Sequence, residues 1–299
     1  MENRQMETHH PIIRIHAEHG ALVMRDGLSI CFYMRRSHPE LARGVRRALE
    51  KYLHAVGPQA LGWYVDPEGD WQELDSQGWR VIQDKLDASR GGIVELHERP
   101  DAVSRYWFEY RGRRLDDTPP DFISAVAFWL PTEYLHEHGP GRVRELALDL
   151  ASELPFNSGH AGLAFNFLFL PPDFQSLALR YPGMDVLHLG ATTEELGTRL
   201  RGAHWLTFLG QPVLGELGGA AGLRSRLSSP DITVQEMEGD RAVVTLGPWP
   251  QSGDTEQGQH LPLHRELARV LEPWRHHERY RWLDFSEDDM RRWQRRFLD

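Results

Sequence analysis

The chain has 299 residues, 40% of them hydrophobic and ten of them tryptophan, enough to bury a large core as one big domain or two intimately packed ones; wholesale disorder is excluded. With 44 acids against 34 bases the formal charge is −10, which argues against general nucleic-acid affinity because phosphate binding needs basic patches. A single cysteine, Cys31, leaves no intramolecular disulfide, and its setting in SICFYM predicts a buried, inert thiol. Lys51 and Lys85 are the only lysines. The imbalance is concentrated between Asp121 and Pro262, where 17 acids face 8 arginines, while His264–Asp299 is nearly neutral. The opening segment MENRQMETHHPIIRIH has no apolar core of signal-peptide length, and the run FISAVAFWL spans about half a membrane, so a cytoplasmic protein without membrane contact is expected.

In chain order, residues 12–27 read as a strand pair leading into Cys31. A strand over 29–36 (SICFYMRR), an amphipathic helix over 39–57 and a strand over 61–66 (LGWYVD) follow. Residues 91–98 and 104–115 form a second strand pair. The strand–helix–strand plan then recurs as SAVAFWLP (124–131), GRVRELALDLASEL (141–154) and AGLAFNFLFL (161–170). The helix assignments rest on spacing: Leu41, Val45, Ala48, Leu49 and Leu53 fall on one stripe, as do Val143, Leu146, Ala147, Leu150 and Leu154. Pro39 and Pro140 sit near the helix starts, and Gly57 and the 155–159 stretch supply stops. Helices are further expected at 172–183, at 192–202 with Thr192 or Thr193 as cap, at 262–274, and at 286–298 with a Ser286/Asp289 capping box. Residues 231–247 form a hairpin turning at Glu238–Asp240, and 247–262 (GPWPQSGDTEQGQHLP) reads as a flexible loop. The expected class is α+β: two repeated strand–helix–strand units with additional antiparallel strands and C-terminal helices. The organisation reads as two pseudo-symmetric halves, 12–120 and 121–275, followed by a C-terminal helical extension over 276–299.

Motifs for chemistry fail on inspection. WLTFLGQPVLGELGG (205–219) opens like a phosphate-binding loop, but Glu216 and Leu217 stand where lysine and Ser or Thr are required, and Pro212 removes a backbone donor. Its glycines are expected to close a packed corner. The 16 histidines show no metal spacing: His136 and His138 are two apart, His276 and His277 adjacent, and His9 and His10 terminal. Surface histidines are expected, with no metal and no cofactor. His160, in NSGHAG beside Ser158, most resembles a catalytic residue, yet no G-x-S-x-G elbow surrounds it, so a structural turn residue is expected. One stretch suits recognition: DPEGDWQELDSQGW places Asp66, Glu68, Asp70, Glu73 and Asp75 around Trp71 and Trp79, a combination fitted to a basic protein partner, although the indoles could equally belong to the core.

The segments FWLPTEYLHEHGPGRVRELALDLASELPFNSGHAGLAFN, GAHWLTFLGQPVLGELGGAAGLRSRL and PLHRELARVLEPWRH resemble the bacterial type VI secretion immunity proteins associated with VRR-type nuclease effectors. The likeness runs over about 20–275, clearest in 128–166 and 204–223, with the tail RYRWLDFSEDDMRRWQRRFLD outside it. The resemblance implies a non-enzymatic protein that binds a cognate toxin, without catalytic residues to carry over. A scaffold role and a hydrolase using His160 stay open beside it.

Overall fold

The computed structural model describes residues 10–116, 118–280, 282 and 285–299. His9 lies outside them. The fold is α+β, built on a single eleven-stranded antiparallel sheet ordered β10-β11-β9-β8-β2-β7-β6-β5-β3-β4, with β1 paired to β2. Its first half contains β1 (Arg14–His16), β2 (Leu22–Met34), helix α1 (His38–Val56), the short hairpin β3 (Trp63–Val65) and β4 (Trp71–Glu73), α2 (Ser76–Asp87), β5 (Gly92–His97) and β6 (Trp107–Gly112). The second begins with β7 (Ser124–Pro131), α3 (Thr132–Ser152) and β8 (Ser158–Phe167), then α4 (Phe174–Arg180), α5 (Leu189–Glu195) and β9 (Leu206–Leu209). It ends with α6 (Val213–Glu216), α7 (Gly219–Ser225), β10 (Ile232–Met237), β11 (Arg241–Leu246), α8 (Pro262–Leu271) and α9 (Glu287–Gln294).

The two strand–helix–strand units occupy the sheet differently. β7-α3-β8 steps over β2 alone, whereas β2-α1-β3 reaches across β7, β6 and β5. The centre is β2, paired with β7 from Gly27↔Pro131 to Met34↔Ser124 and with β8 from Met24↔Phe167 to Tyr33↔Ser158. Alternation along these strands separates two cores. Leu28, Ile30, Phe32 and Met34 face α1 and α3 together with Val126, Phe128, Leu163 and Phe165. Cys31, Tyr33, Ala125, Ala127 and Trp129 face the connection that carries Leu187, Leu189 and Leu196. A third cluster joins β9 and β11 to α6, α7 and α8, and includes Phe297.

Both helix stripes pack as the spacing requires: Leu41, Val45, Ala48 and Leu49, and Val143, Leu146, Ala147, Leu150 and Leu154, are buried. Glu40 accepts from the Ser37 amide at 3.0 Å at the start of α1, and Ser286 and Asp289 form the expected box on α9. α3 starts at Thr132, earlier than its apolar stripe, and Gly139 (φ 78°) breaks it just before Pro140. Three other expectations change. Residues 22–34 make one strand where a pair ending at 27 and a separate strand from 29 were expected, with Arg25, Asp26 and Gly27 buried inside it. The cap of α5 is His188, whose Nδ1 accepts from the Ala191 amide at 3.0 Å, while Thr192 donates to His188 O and Thr193 to Gly190 O. The 247–262 stretch is pinned rather than free: Asp254 is buried and pairs with Arg180 at 2.9 Å, and Ser252 O accepts from Gly183 N at 2.7 Å.

The Trp205–Gly219 corner is a packing device. β9 runs antiparallel between β8 and β11 rather than in the parallel sheet of a nucleotide fold, and a Cβ on Gly210 would stand 2.5 Å from Phe156 O. Gly44 plays a similar part between helices, since a Cβ there would lie 2.4 Å from Glu153 O at the end of α3. Gly44→Ala is therefore expected to destabilise by about 1–3 kcal/mol through overpacking, against a helix-propensity gain of about 1 kcal/mol, read from the urea midpoint at unchanged slope.

Candidate functional site

Two arrangements on the same face of the sheet carry the chemistry. The first is buried. His160, at mid-strand in β8, directs Nε2 to Asp185 Oδ2 at 3.2 Å, and His204 Nε2 approaches the same oxygen at 3.7 Å. The two imidazoles stack with centroids 4.0 Å apart. Arg201 Nη1 reaches that oxygen at 2.6 Å, while its Nη2 donates to Glu278 and Val186 O, both at 2.9 Å; Arg296 stands 3.9 Å from Asp185 Oδ1. Asp185 is held beside β8 by backbone hydrogen bonds, Asp185 N to Leu163 O at 2.8 Å and Phe165 N to Asp185 O at 2.9 Å.

Burial drives the histidine shifts. Desolvation, with His204 beside it, keeps His160 at about 3; desolvation, with Arg201 and Arg296 adding, lowers His204, and desolvation also keeps His264 at about 3. Burial alone would push Asp185 up, but Arg201 and the two histidine hydrogen bonds outweigh it and hold the carboxyl well below its usual range. Desolvation lowers Arg296 to about 10. His160, Asp185 and His204 present ligand atoms within 4.8 Å of one another. A cation there would have to share Asp185 Oδ2 with a guanidinium already at 2.6 Å, so the group is built as an ion-pair network. A hydrolytic pair is not assembled either. Ser158 Oγ donates to Arg199 O at 3.0 Å, and the gap of about 180 Å³ beside His160 is too narrow for water.

These positions correct the histidine reading: His160 is a strand residue, and His10, His38, His97, His160, His204, His264 and His276 are all buried. A histidine inside a protein is neutral when desolvated and finds a partner, as His276 does with Glu195 at 3.3 Å. Nothing in linear spacing relates His160 to Asp185, His204 or Arg296; only the fold does. His136 meets His10 at 3.0 Å, and His138 lies against Tyr134.

The second arrangement lies toward the β4 edge. Cross-strand register aligns Glu73, Trp63, His97, Trp107 and Trp129 in one row, and Glu95, Glu109, Ala127, Cys31 and His160 in the next. Trp71 meets His97 edge-on at 4.7 Å, His97 stacks on Trp107 at 4.9 Å, and Trp107 stacks on Trp129 at 5.1 Å with planes 6° apart. Trp129 is buried, whereas Trp63, Trp71 and Trp107 are half-buried and Ile93 is 49% exposed. Glu95 and Glu109 stand directly opposite, and Arg111 alone bridges them, to Glu109 at 2.5 Å and Glu95 at 3.3 Å. Desolvation, with Glu95 adding and Arg111 opposing, pushes Glu109 up to about 7. Helix α5 covers the face over β6 and β7; a Cβ on Gly190 would stand 3.3 Å from the Arg111 guanidinium carbon. At the far end of β5 and β6 a cavity of about 450 Å³ is lined by Arg90, Arg111, Arg113 and Arg114 against Ile93 and Phe122.

The acidic, tryptophan-bearing stretch is the β3–β4 hairpin and the start of α2, at the sheet edge beside this row. Asp66 closes the turn, accepting from Glu68 N at 3.0 Å, Asp70 N at 2.8 Å and Gln72 at 2.9 Å. Asp75 caps α2 through the Gln77 and Gly78 amides, both at 2.8 Å. Hydrogen bonds, from Asp70 N first for Asp66 and Gly78 N first for Asp75, lower both carboxyls. Trp79 packs on the main core, while Glu68, Asp70 and Glu73 are exposed around Trp71.

Taken as a whole, the fold is that of a solved secretion-system protein: it superposes on the Pseudomonas aeruginosa T6SS protein PA0821 with a TM-score of 0.80, over 97% of this chain and 88% of that one. At 20% identity that likeness shows the fold alone. The family model described as type VI immunity for VRR-NUC (TsiV) matches residues 44–297, and the chain belongs to this family. The match includes the C-terminal tail that its sequence had set apart, and Trp282, Phe285, Met290 and Trp293 of that tail are buried in the main core. No curated protein matches the chain. Among the described residues, no helix is long and apolar enough to cross a membrane.

Asp185→Ala leaves the guanidiniums of Arg201 and Arg296 without their shared carboxylate, and is expected to cost about 3–5 kcal/mol in urea unfolding. The titrations pull in opposite directions. His160 and His264 stay neutral in the fold to about pH 3, while unfolded histidine takes its proton near 6.5, so they lower stability as pH falls through that window. Folded Glu109 keeps its proton to about 7 against 4.5 for the model carboxyl, so it lowers stability as pH rises from 4.5 to 7. Glu109→Gln is accordingly expected to gain about 1–3 kcal/mol over the parent at pH 8 and little at pH 4, measured by unfolding at both values.

Proposed function

We propose that the chain protects its producer by binding a VRR-NUC nuclease effector stoichiometrically in the cytoplasm, with no catalytic activity of its own. The observation that carries this reading is the family match across residues 44–297. The geometry agrees with it: Ser158 and His160 are committed to other partners, and their surroundings admit no substrate. A nuclease must hold phosphate, so its binding groove is basic, and a protein with a formal charge of −10 complements that groove while being repelled by the nucleic acid itself.

The contacts are proposed at the edge hairpin, among Asp66, Glu68, Asp70, Trp71, Glu73, Asp75 and Trp79. Within that set the division of labour is physical. Asp66, Asp75 and Trp79 hold the shape of turn, cap and core, and Glu68, Asp70, Trp71 and Glu73 present charge and ring to a partner. Coexpression with a VRR-NUC nuclease effector should give a 1:1 complex on size exclusion and should suppress DNA cleavage in proportion to the chain bound. Full cleavage in the presence of excess folded chain would sink the reading.

A further inference from the structure

The hairpin is the rim of a larger surface. Inward from it, the uncovered half of the sheet presents Trp63, Trp71 and Trp107 half-buried and Ile93 largely exposed, flanked by Glu73 and the Glu95–Glu109 pair. Soluble proteins seldom leave tryptophans in a row on an open strand face, and rings stacked from strand to strand are already ordered, so covering them costs little conformational entropy. Its charge is unbalanced as well. Two carboxylates directly opposite each other share one guanidinium, and Arg111 supplies that from the side nearest α5. Glu109 is buried under that contact, so Glu95, half-buried and 3.3 Å from the same guanidinium, is the carboxylate of the pair on the open side.

We propose, resting on the immunity reading above, that the open face of β3–β6 is the floor on which the nuclease docks, with an arginine or lysine of its phosphate-binding surface seated between Glu95 and Glu73 over the Trp71–Trp107 row. Charge complementarity selects this occupant: the floor and its rim carry Asp70, Glu68, Glu73 and Glu95, and the indole faces take a cation directly. The arginine-lined cavity bounds the acidic surface where β5 and β6 end, so the partner's cations register toward the hairpin. α5 forms the opposite wall, with exposed Tyr280 stacked on His188 at 4.8 Å along its rim.

The test compares binding of the same VRR-NUC nuclease effector to the full-length chain and its variants, by calorimetry at two salt concentrations. Glu95 is half-buried on the open face of β5, and circular dichroism checks that the Glu95→Lys chain folds. Combined with Trp71→Ala it is expected to weaken affinity by about 30-fold or more, to flatten the salt dependence, and to leave circular dichroism unchanged. Glu236→Lys, an equal charge change on exposed β10 at the other edge of the sheet, is expected to bind like the parent. Parent-like affinity of the folded Glu95→Lys/Trp71→Ala chain, or an equal loss in Glu236→Lys, overturns the docking floor and leaves the immunity reading in place. No binding by the parent chain removes both.

Discussion

The fold depends on one strand being paired along both of its edges. β2 hydrogen-bonds to β7 over Gly27–Met34 and to β8 over Met24–Tyr33, so neither half of the chain can complete its sheet without the other. This constraint accounts for the polar residues inside it. Asp26 is fully buried because the amide of Ile13 donates to it at 2.7 Å and Thr132 and Arg14 add further hydrogen bonds, while Arg25 pairs with Glu133 at 2.5 Å at the start of α3. A buried carboxylate is tolerated only with such satisfaction, and here it ties β1, β2 and α3 at one point. Gly27 completes the device, since a Cβ there would come within 3.1 Å of Leu130 O.

From β2 the sheet's second face runs two ways. Toward β8 and β9 it is sealed: Cys31 is buried with its thiol pushed up by desolvation, and His160 lies next to it under the Asp185 network. The C-terminal segment closes that side, with Glu278 on Arg201 and Arg296 beside Asp185, so the tail belongs to the fold's electrostatics as well as its core. Toward β5 and β3 the same face opens and its aromatic row meets solvent. The same cross-strand register thus places a buried ion cluster at one end and the Glu95–Glu109 pair, bridged by Arg111, at the other.

Much of the fold was legible because its signals are local. The stripes of α1 and α3 repeat at helical spacing, the Glu238–Asp240 turn joins two alternating strands, and Ser286 with Asp289 marks a helix start. What was not legible depends on distant residues. Arg25-Asp26-Gly27 has the composition of a turn, and only Glu133 and Thr132, contributed by another element, make it a strand interior. Histidines read as surface groups from their polarity, yet desolvation and a carboxylate supplied from elsewhere in the chain place several inside. The edge acids and Trp71 could be picked out as one stretch, but Trp63, Glu95 and Trp107 join them only through pairing of β3, β5 and β6.

The segments that mark the family map onto the scaffold. Residues 128–166 span β7, α3 and β8, and 204–223 span β9 and the corner through α6 and α7, where Gly210 must approach Phe156 O closely. Their inward-facing residues work by burial and close backbone contact, which constrains residue type tightly. The open half of the sheet lies in β3–β6, outside both segments, on strands whose exposed side chains meet no packing requirement. A binding protein assembled in this way can keep its central frame while altering the charge and shape of its floor, because substitutions at Glu73 or Ile93 touch no core contact that the frame needs.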